Sequence, residues 1–223
     1  MKTPILQRWT YTSPRTAERM IIPDGCQDLL YWVVPGMWPQ WTVSHLQEGI
    51  MAARIPQGAT IVGFRFAPGT ELPQRVRTEL MERPGDDPDH SLDGVMDSIG
   101  YDQRVAEALA AVADLDSAVE DAARGLGISR RTLERLLVRH TGRAPVFWSQ
   151  LARVRAAARV LVSGGDPLET AYGTGYADQA HLSHSVRRWF GVSPTELLNR
   201  EDLTAQLLGP GYDAPTGEQI STR

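Results

Sequence analysis

Residues Thr170–Leu197 read TAYGTGYADQAHLSHSVRRWFGVSPTEL, and this stretch decides the fold of the second half of the chain. Its marked positions are Ala171, Gly175, Tyr176, Leu182, His184, Val186, Gly191 and Pro194. An earlier stretch, Ala123–Pro145, ARGLGISRRTLERLLVRHTGRAP, carries the same pattern at Ala123, Gly127, Ile128, Leu133, Arg135, Leu137, Gly142 and Pro145. From the first Gly to the Leu is six residues in the first copy and seven in the second. From that Leu to the next Gly is nine in both, and from that Gly to the Pro is three in both. Such a pattern builds two short helices joined by a tight turn, twice over.

Local signals place the helices. In the first copy Ser117, with Glu120 three residues later, has capping-box spacing. A short helix carrying Val119, Ala122 and Ala123 is expected to end at Gly125, followed by the turn Leu126-Gly127-Ile128. Ser129 then caps a second helix. Leu133, Leu136 and Leu137 form its core stripe, and Arg130, Arg131, Glu134, Arg135 and Arg139 face the other way. Gly142 ends it. In the second copy Asp166-Pro167 reads as an N-cap followed by proline at the first helical position. Leu168, Ala171 and Tyr172 are expected to face inward, with Gly175-Tyr176 at the turn and Asp178 as the next cap. Leu182, Val186 and Phe190 make the second core stripe. Gln179, Ala180, Ser183, His184, Arg187 and Arg188 lie elsewhere on that helix. Ala123 and Ala171 are small enough to let the paired helices cross closely.

Between the copies, Pro145–Val162 repeats Leu151, Val154, Ala158 and Leu161 at helical spacing. Eighteen residues at 1.5 Å each give a rod of about 27 Å. Two helix-turn-helix units held about one DNA turn apart, roughly 34 Å, would read two adjacent major grooves on one face of the duplex.

Charge supports a polyanion as partner. The whole chain has a net charge of -4, yet residues 124–200 hold 12 Arg against 5 acids, and residues 79–121 hold 13 acids. Asymmetry of this kind suggests that one half faces nucleic acid. Lys2 is the sole lysine, and arginine's planar fork suits phosphate and guanine. Biased codon usage would explain the Arg:Lys ratio but not the clustering. The acidic stretch reads as a solvated face, with docking against the basic helices as the alternative. Arg153, Arg155 and Arg159 on the connector read as surface charges, with a DNA role as the alternative.

The first half has a different texture. Residues 1–75 hold Trp9, Trp32, Trp38 and Trp41 together with PDG, VPG and PQG turns. Short apolar runs at Asp28–Val34 and Thr60–Phe66 read as strands. The fold class is therefore α+β in two domains. A mostly β domain at 1–80 would serve sensing or dimerisation. An acidic linker at 81–100, an all-α domain at 101–200 and a flexible tail at 201–223 follow. No transmembrane run, no signal peptide and a single cysteine point to a cytoplasmic protein.

Residues 116–200 resemble the DNA-binding domain of the AraC/XylS family of transcription regulators, most closely at Gly175-Tyr176, Asp178-Gln179, Leu182, Gly191 and Ser193-Pro194. The resemblance implies base contacts by Arg131, Glu134 and Arg135 in the first copy and by Gln179, Ala180, Ser183 and His184 in the second. The family usually has arginine where His184 stands, and histidine reaches less far and is mostly neutral at pH 7. The second unit is thus expected to discriminate bases less sharply, or to contact phosphate. Arg130, Arg139, Arg187 and Arg188 are assigned to phosphate, since phosphate contacts outnumber base contacts. The segments IIPDGCQDLLYW and GFRFAPGT resemble a β-rich domain of unknown ligand that precedes some domains of this type.

Double-stranded DNA is the implied partner. A small-molecule effector, RNA polymerase and a second copy of the chain are further candidates, and the effector-binding residues are unknown. No catalytic residues, metal ligands or cofactor are assigned, so no enzymatic activity is expected. His45 and Glu48 stand apart from any ligand cluster. The competing reading makes Cys26 the nucleophile of an alkyl-transfer or other enzyme fused to a DNA-binding domain. A packed core thiol is the simpler reading, and nothing basic lies within six residues of Cys26 to activate it. Asp24 and Asp28 could in principle form a carboxylate pair.

Overall fold

The computed structural model describes residues 4–85 and 87–213. The chain divides into two compact units. The first takes the chain up to Arg19, then Cys26–Leu46 and Ala52–Gln103. The second takes Met20–Gly25, Gln47–Met51 and everything from Arg104 onward.

In chain order the first half contains β1 (Ile5–Thr12), β2 (Ala17–Ile21), β3 (Asp28–Val33), β4 (Gln40–Val43), β5 (Met51–Ile55), β6 (Thr60–Phe66), β7 (Thr70–Glu71), α1 (Gln74–Glu82), α2 (Pro88–Asp93), a 3-10 turn at Met96–Ser98, and β8 (Gly100–Tyr101). A four-stranded antiparallel sheet runs β1-β6-β3-β4, while β2 pairs with β5 and β7 with β8. The expected strands at Asp28–Val34 and Thr60–Phe66 are the two central ones. Side chains alternate across a strand, so β6 sends Val62, Phe64 and Phe66 into one core with Leu29, Tyr31 and Trp41. Ile61 goes to the opposite face, with Ile55, Ala59, Trp9 and Trp32. Gly63 lies under Trp9, and a Cβ there would sit 2.1 Å from the indole. The tryptophans therefore divide: Trp41 is core, Trp9 and Trp32 are half-buried, and Trp38 is 86% exposed.

The acidic segment at 81–100 is not a linker. Leu92 and Val95 are buried in the sheet's core with Val76 and Leu80 of α1. The Asp87 side chain caps α2 by accepting from the backbone N–H groups of Asp89 and His90. The Tyr31 hydroxyl donates to the Gly85 carbonyl at 2.6 Å, and the Trp41 indole donates to the Pro84 carbonyl at 3.0 Å. Composition suggested a loop here, but a few apolar anchors were enough to fold it down. Asp28 forms a two-pronged pair with Arg65, at 2.9 and 3.0 Å.

The second unit contains α3 (Gln103–Ala113), α4 (Val119–Gly125), α5 (Arg130–Thr141), α6 (Pro145–Val162), α7 (Pro167–Gly173), α8 (Gln179–Phe190), α9 (Pro194–Leu198) and α10 (Glu201–Leu208). Prolines open α6, α7 and α9 at the first turn, where the missing N–H costs nothing. The mobile tail expected from residue 201 is instead helix α10, with Leu203 and Leu207 fully buried and Tyr212 packed edge-on against Trp148 at 4.8 Å. Residues 214–223 of that expected tail lie outside the described residues.

The connector α6 is the axis of this unit. Its buried side includes Trp148, Leu151, Val154, Ala158 and Leu161. It also includes Arg155, whose side chain is 0% exposed. The Arg155 Nε donates to Asp213 Oδ1 at 2.9 Å, and its Nη1 donates to the Pro23 carbonyl at 3.0 Å. Arg159 donates to the Leu207 carbonyl and also binds Asp213. Neither Arg155 nor Arg159 is a surface charge as expected: both tie α6 to the segment that follows α10. The Met20–Gly25 segment enters the same region, with the Gln206 side chain bridging the Ile22 N–H and the Met20 carbonyl.

Candidate nucleic-acid interface

Two helix pairs, α4/α5 and α7/α8, are built alike at their turns. The Gly127 N–H donates to the Arg124 carbonyl and the Ile128 N–H to the Ala123 carbonyl, both at 3.0 Å. In the second pair the Gly175 N–H donates to Tyr172 at 3.1 Å and the Tyr176 N–H to Ala171 at 2.8 Å. Both glycines are left-handed, with φ of 69° and 76°, a conformation that carries little penalty only without a Cβ. The turns match through Ile128 and Tyr176, so the extra residue of the second copy is Ala177, placed just before the N-cap. Ser129 accepts from the Thr132 N–H and Asp178 from the His181 N–H, so both expected caps form. Left-handed Gly142 and Gly191 close α5 and α8.

Each second helix buries its apolar stripe. Leu133 and Leu137 on α5, and Leu182, Val186, Trp189 and Phe190 on α8, are inaccessible. The opposite faces are open. Arg130, Arg131, Glu134, Arg135 and Arg139 are exposed on α5, as are Gln179, Ala180, His184, Arg187 and Arg188 on α8, while Ser183 is half-buried. Arg131 and Arg135 lie four apart, as do Ala180 and His184, so each set forms one ridge along its helix. Arg188 lies over the Trp189 ring at 5.7 Å, which leaves its guanidinium edge open to an acceptor.

Two local expectations fail. The Ser117–Glu120 capping box does not form: the α4 N-cap is Ala118, and the Ser117 hydroxyl donates to Asp114 at 2.9 Å. Glu120 instead holds Arg130. On α7, Leu168 and Tyr172 are 44% and 59% exposed and do not face inward. The inward face is made of Thr170, Ala171 and Thr174, because a close crossing leaves room only for small side chains.

A family model described as a helix-turn-helix domain matches residues 122–200. That range begins inside α4, takes in both pairs and the connector, and ends after α9. The chain is also 36% identical over 80 residues to the HTH-type transcriptional activator RhaS of Escherichia fergusonii. Residues 122–200 match a helix-turn-helix domain family.

The match to RhaS covers 35% of this chain and 29% of that protein, so the chain spans under a third of the length of this curated relative. Among solved structures, an AraC-type transcriptional regulator from Chromobacterium violaceum aligns at 26% identity and a TM-score of 0.38, covering 48% of this chain and 91% of that one. ToxT of Vibrio cholerae O395 aligns at 11% identity and a TM-score of 0.47, covering 89% of this chain and 98% of that one.

Three features of the second unit are not signalled locally in the sequence. The ion pairs of Arg130 with Glu120 and of Arg124 with Asp121 cover part of the basic face. Arg143 pairs with Glu48 at 2.5 Å, so Glu48 does not stand alone. The Tyr176 hydroxyl donates to Ser185 at 2.9 Å, and its ring meets His181 edge-on, which ties the second turn to α8. Burial pushes the Tyr176 phenol above its ordinary pKa, so it stays a neutral donor. Among the described residues there is no His/Cys/Asp/Glu grouping able to hold a metal ion, and no helix is long and apolar enough to cross a membrane. Cys26 is buried.

Proposed function

We propose that this chain is a DNA-binding transcription regulator whose α5 and α8 enter two adjacent major grooves on one face of the duplex. The observation that carries the reading is the pairing of two alike turns, each feeding a helix with a buried apolar stripe and an open polar ridge, at either end of one continuous 18-residue helix. Arg131, Glu134 and Arg135 are the base readers of the first unit, and Gln179, Ala180, Ser183 and His184 those of the second. Arg130, Arg139, Arg187 and Arg188 grip phosphate. Affinity then comes mostly from phosphate contacts and falls with salt, while discrimination comes from the ridges.

Selecting bound duplexes from a random library tests the geometry. Two preferred boxes about one turn apart, roughly 34 Å, are expected, with the sharper one facing α5. A single short box would mean that only one unit reads bases.

The first unit is the control module in this reading, through a small-molecule effector or a second copy of the chain, and the DNA-bound form acts on RNA polymerase. Thermal-shift screening of the full chain, with sedimentation, separates the first two: a stabilising compound supports an effector, and a dimer without one supports self-association.

A further inference from the structure

We infer that Glu120 is an internal competitor for DNA phosphate, occupying Arg130 and so trimming the sequence-independent grip of the first helix-turn-helix unit. The inference rests on the DNA-binding reading above and extends it to a residue off the recognition helix.

Arg130 is the first residue of α5, immediately after the Ser129 cap. A cation there sits beside the helix N-terminus, where backbone N–H groups also attract anions. It is therefore well placed for a DNA phosphate. In this structure its Nη1 is bonded instead to Glu120 Oε1, reaching across from the first turn of α4. The two side chains keep 59% and 50% of their surface in water. An ion pair this open contributes little and exchanges readily, so phosphate can displace it. Displacement leaves a carboxylate beside a polyanion that carries about one charge per 1.7 Å.

The second unit lacks the device. Counting back and forward from Leu133 and Leu182, Gln179 stands where Arg130 does. Counting from Ala123 and Ala171, Leu168 stands where Glu120 does. No ion pair can form between those two. Arg131 and Arg135, the base-reading candidates one and five residues on from Arg130, have no ion pair among the described residues. The competition therefore falls on the phosphate grip and spares base reading, so Glu120 lowers affinity for every duplex alike and leaves the preference among sequences unchanged.

The test measures binding of full-length wild type, E120Q, R130Q and the double variant to a selected duplex and to a scrambled one, across a salt series. E120Q is expected to tighten both duplexes by about two- to fivefold and to steepen log K against log salt by about one counterion. In the R130Q background, E120Q should have little further effect. Unchanged or weakened binding by E120Q would overturn the inference, showing that Glu120 merely positions Arg130. An E120Q gain that persists undiminished without Arg130 would also overturn it, as general charge repulsion. If wild type binds no duplex at all, the DNA-binding reading falls and this inference with it, whereas wild-type binding with a failed cycle removes this inference alone.

Discussion

Arg155 on α6 and Asp213 beyond α10 form a buried ion pair, Nε to Oδ1 at 2.9 Å, with only 5% of the Asp213 side chain accessible. Arg159 approaches the same carboxylate from the next turn. Burying charge is costly unless every partner is present. D213A would strand two guanidinium groups, one of them wholly buried, and is expected to destabilise the helical unit by about 3–5 kcal/mol. R155M, which removes the charge and keeps an unbranched apolar chain, should cost less. Urea denaturation followed by helical circular dichroism checks the order.

The same carboxylate predicts an acid limb. Burial alone pushes Asp213 up, but the charges and hydrogen bonds of Arg155 and Arg159 outweigh it and hold the group below the ordinary carboxylate range. The folded state therefore binds its proton less readily than the unfolded one. The resulting stability is present in full above the unfolded value near about 3.9 and is lost as pH falls through the lower folded value. Wild type should lose stability steeply over that interval. D213N, already weakened, should show a shallower slope there, and parallel slopes would refute the assignment.

At the first turn two glycines two residues apart should respond oppositely. Gly127 has a φ of 69° and open space around its missing Cβ, so G127A meets only backbone strain, worth about 1–2 kcal/mol. Gly125 is the last residue of α4, also with open space and without a left-handed φ. G125A is expected to stabilise by about 0.5 kcal/mol. Thermal unfolding of both variants distinguishes a conformational requirement at Gly127 from simple crowding of the turn.

Base reading separates from phosphate binding by its pattern across sequences. R135A should cost about 1–3 kcal/mol on the selected site and relax preference at one base. R139A should weaken all duplexes by a similar factor and flatten the salt slope. A uniform loss for R135A would move that residue to the phosphate group.

What the sequence disclosed, it disclosed through local chemistry. Ser129, Asp166 and Asp178 cap helices because the hydroxyl or carboxylate needs only the N–H groups two or three residues on. Gly142 and Gly191 close helices for equally local reasons. The second helices' apolar stripes were legible because period 3.6 needs no distant partner. By contrast, nothing near Arg155 marks it as buried, since its acceptors lie 58 and 132 residues away. Leu168 and Tyr172 misled for a related reason: their spacing is helical, but the width of the helix crossing decides which face turns in. The segment at 81–100 was misjudged on composition, although Leu92 and Val95 sufficed to fold it.

The Met20–Gly25 segment, made early in synthesis, belongs to a unit that, apart from Gln47–Met51, is otherwise made after residue 103. Its partners Arg155, Gln206 and Tyr212 emerge more than a hundred residues later. Helical domains ordinarily fold quickly because their contacts are local, and closing long loops slows them. Here the last stitches of the helical unit wait for residues 212 and 213, long after residues 20–25 have been made.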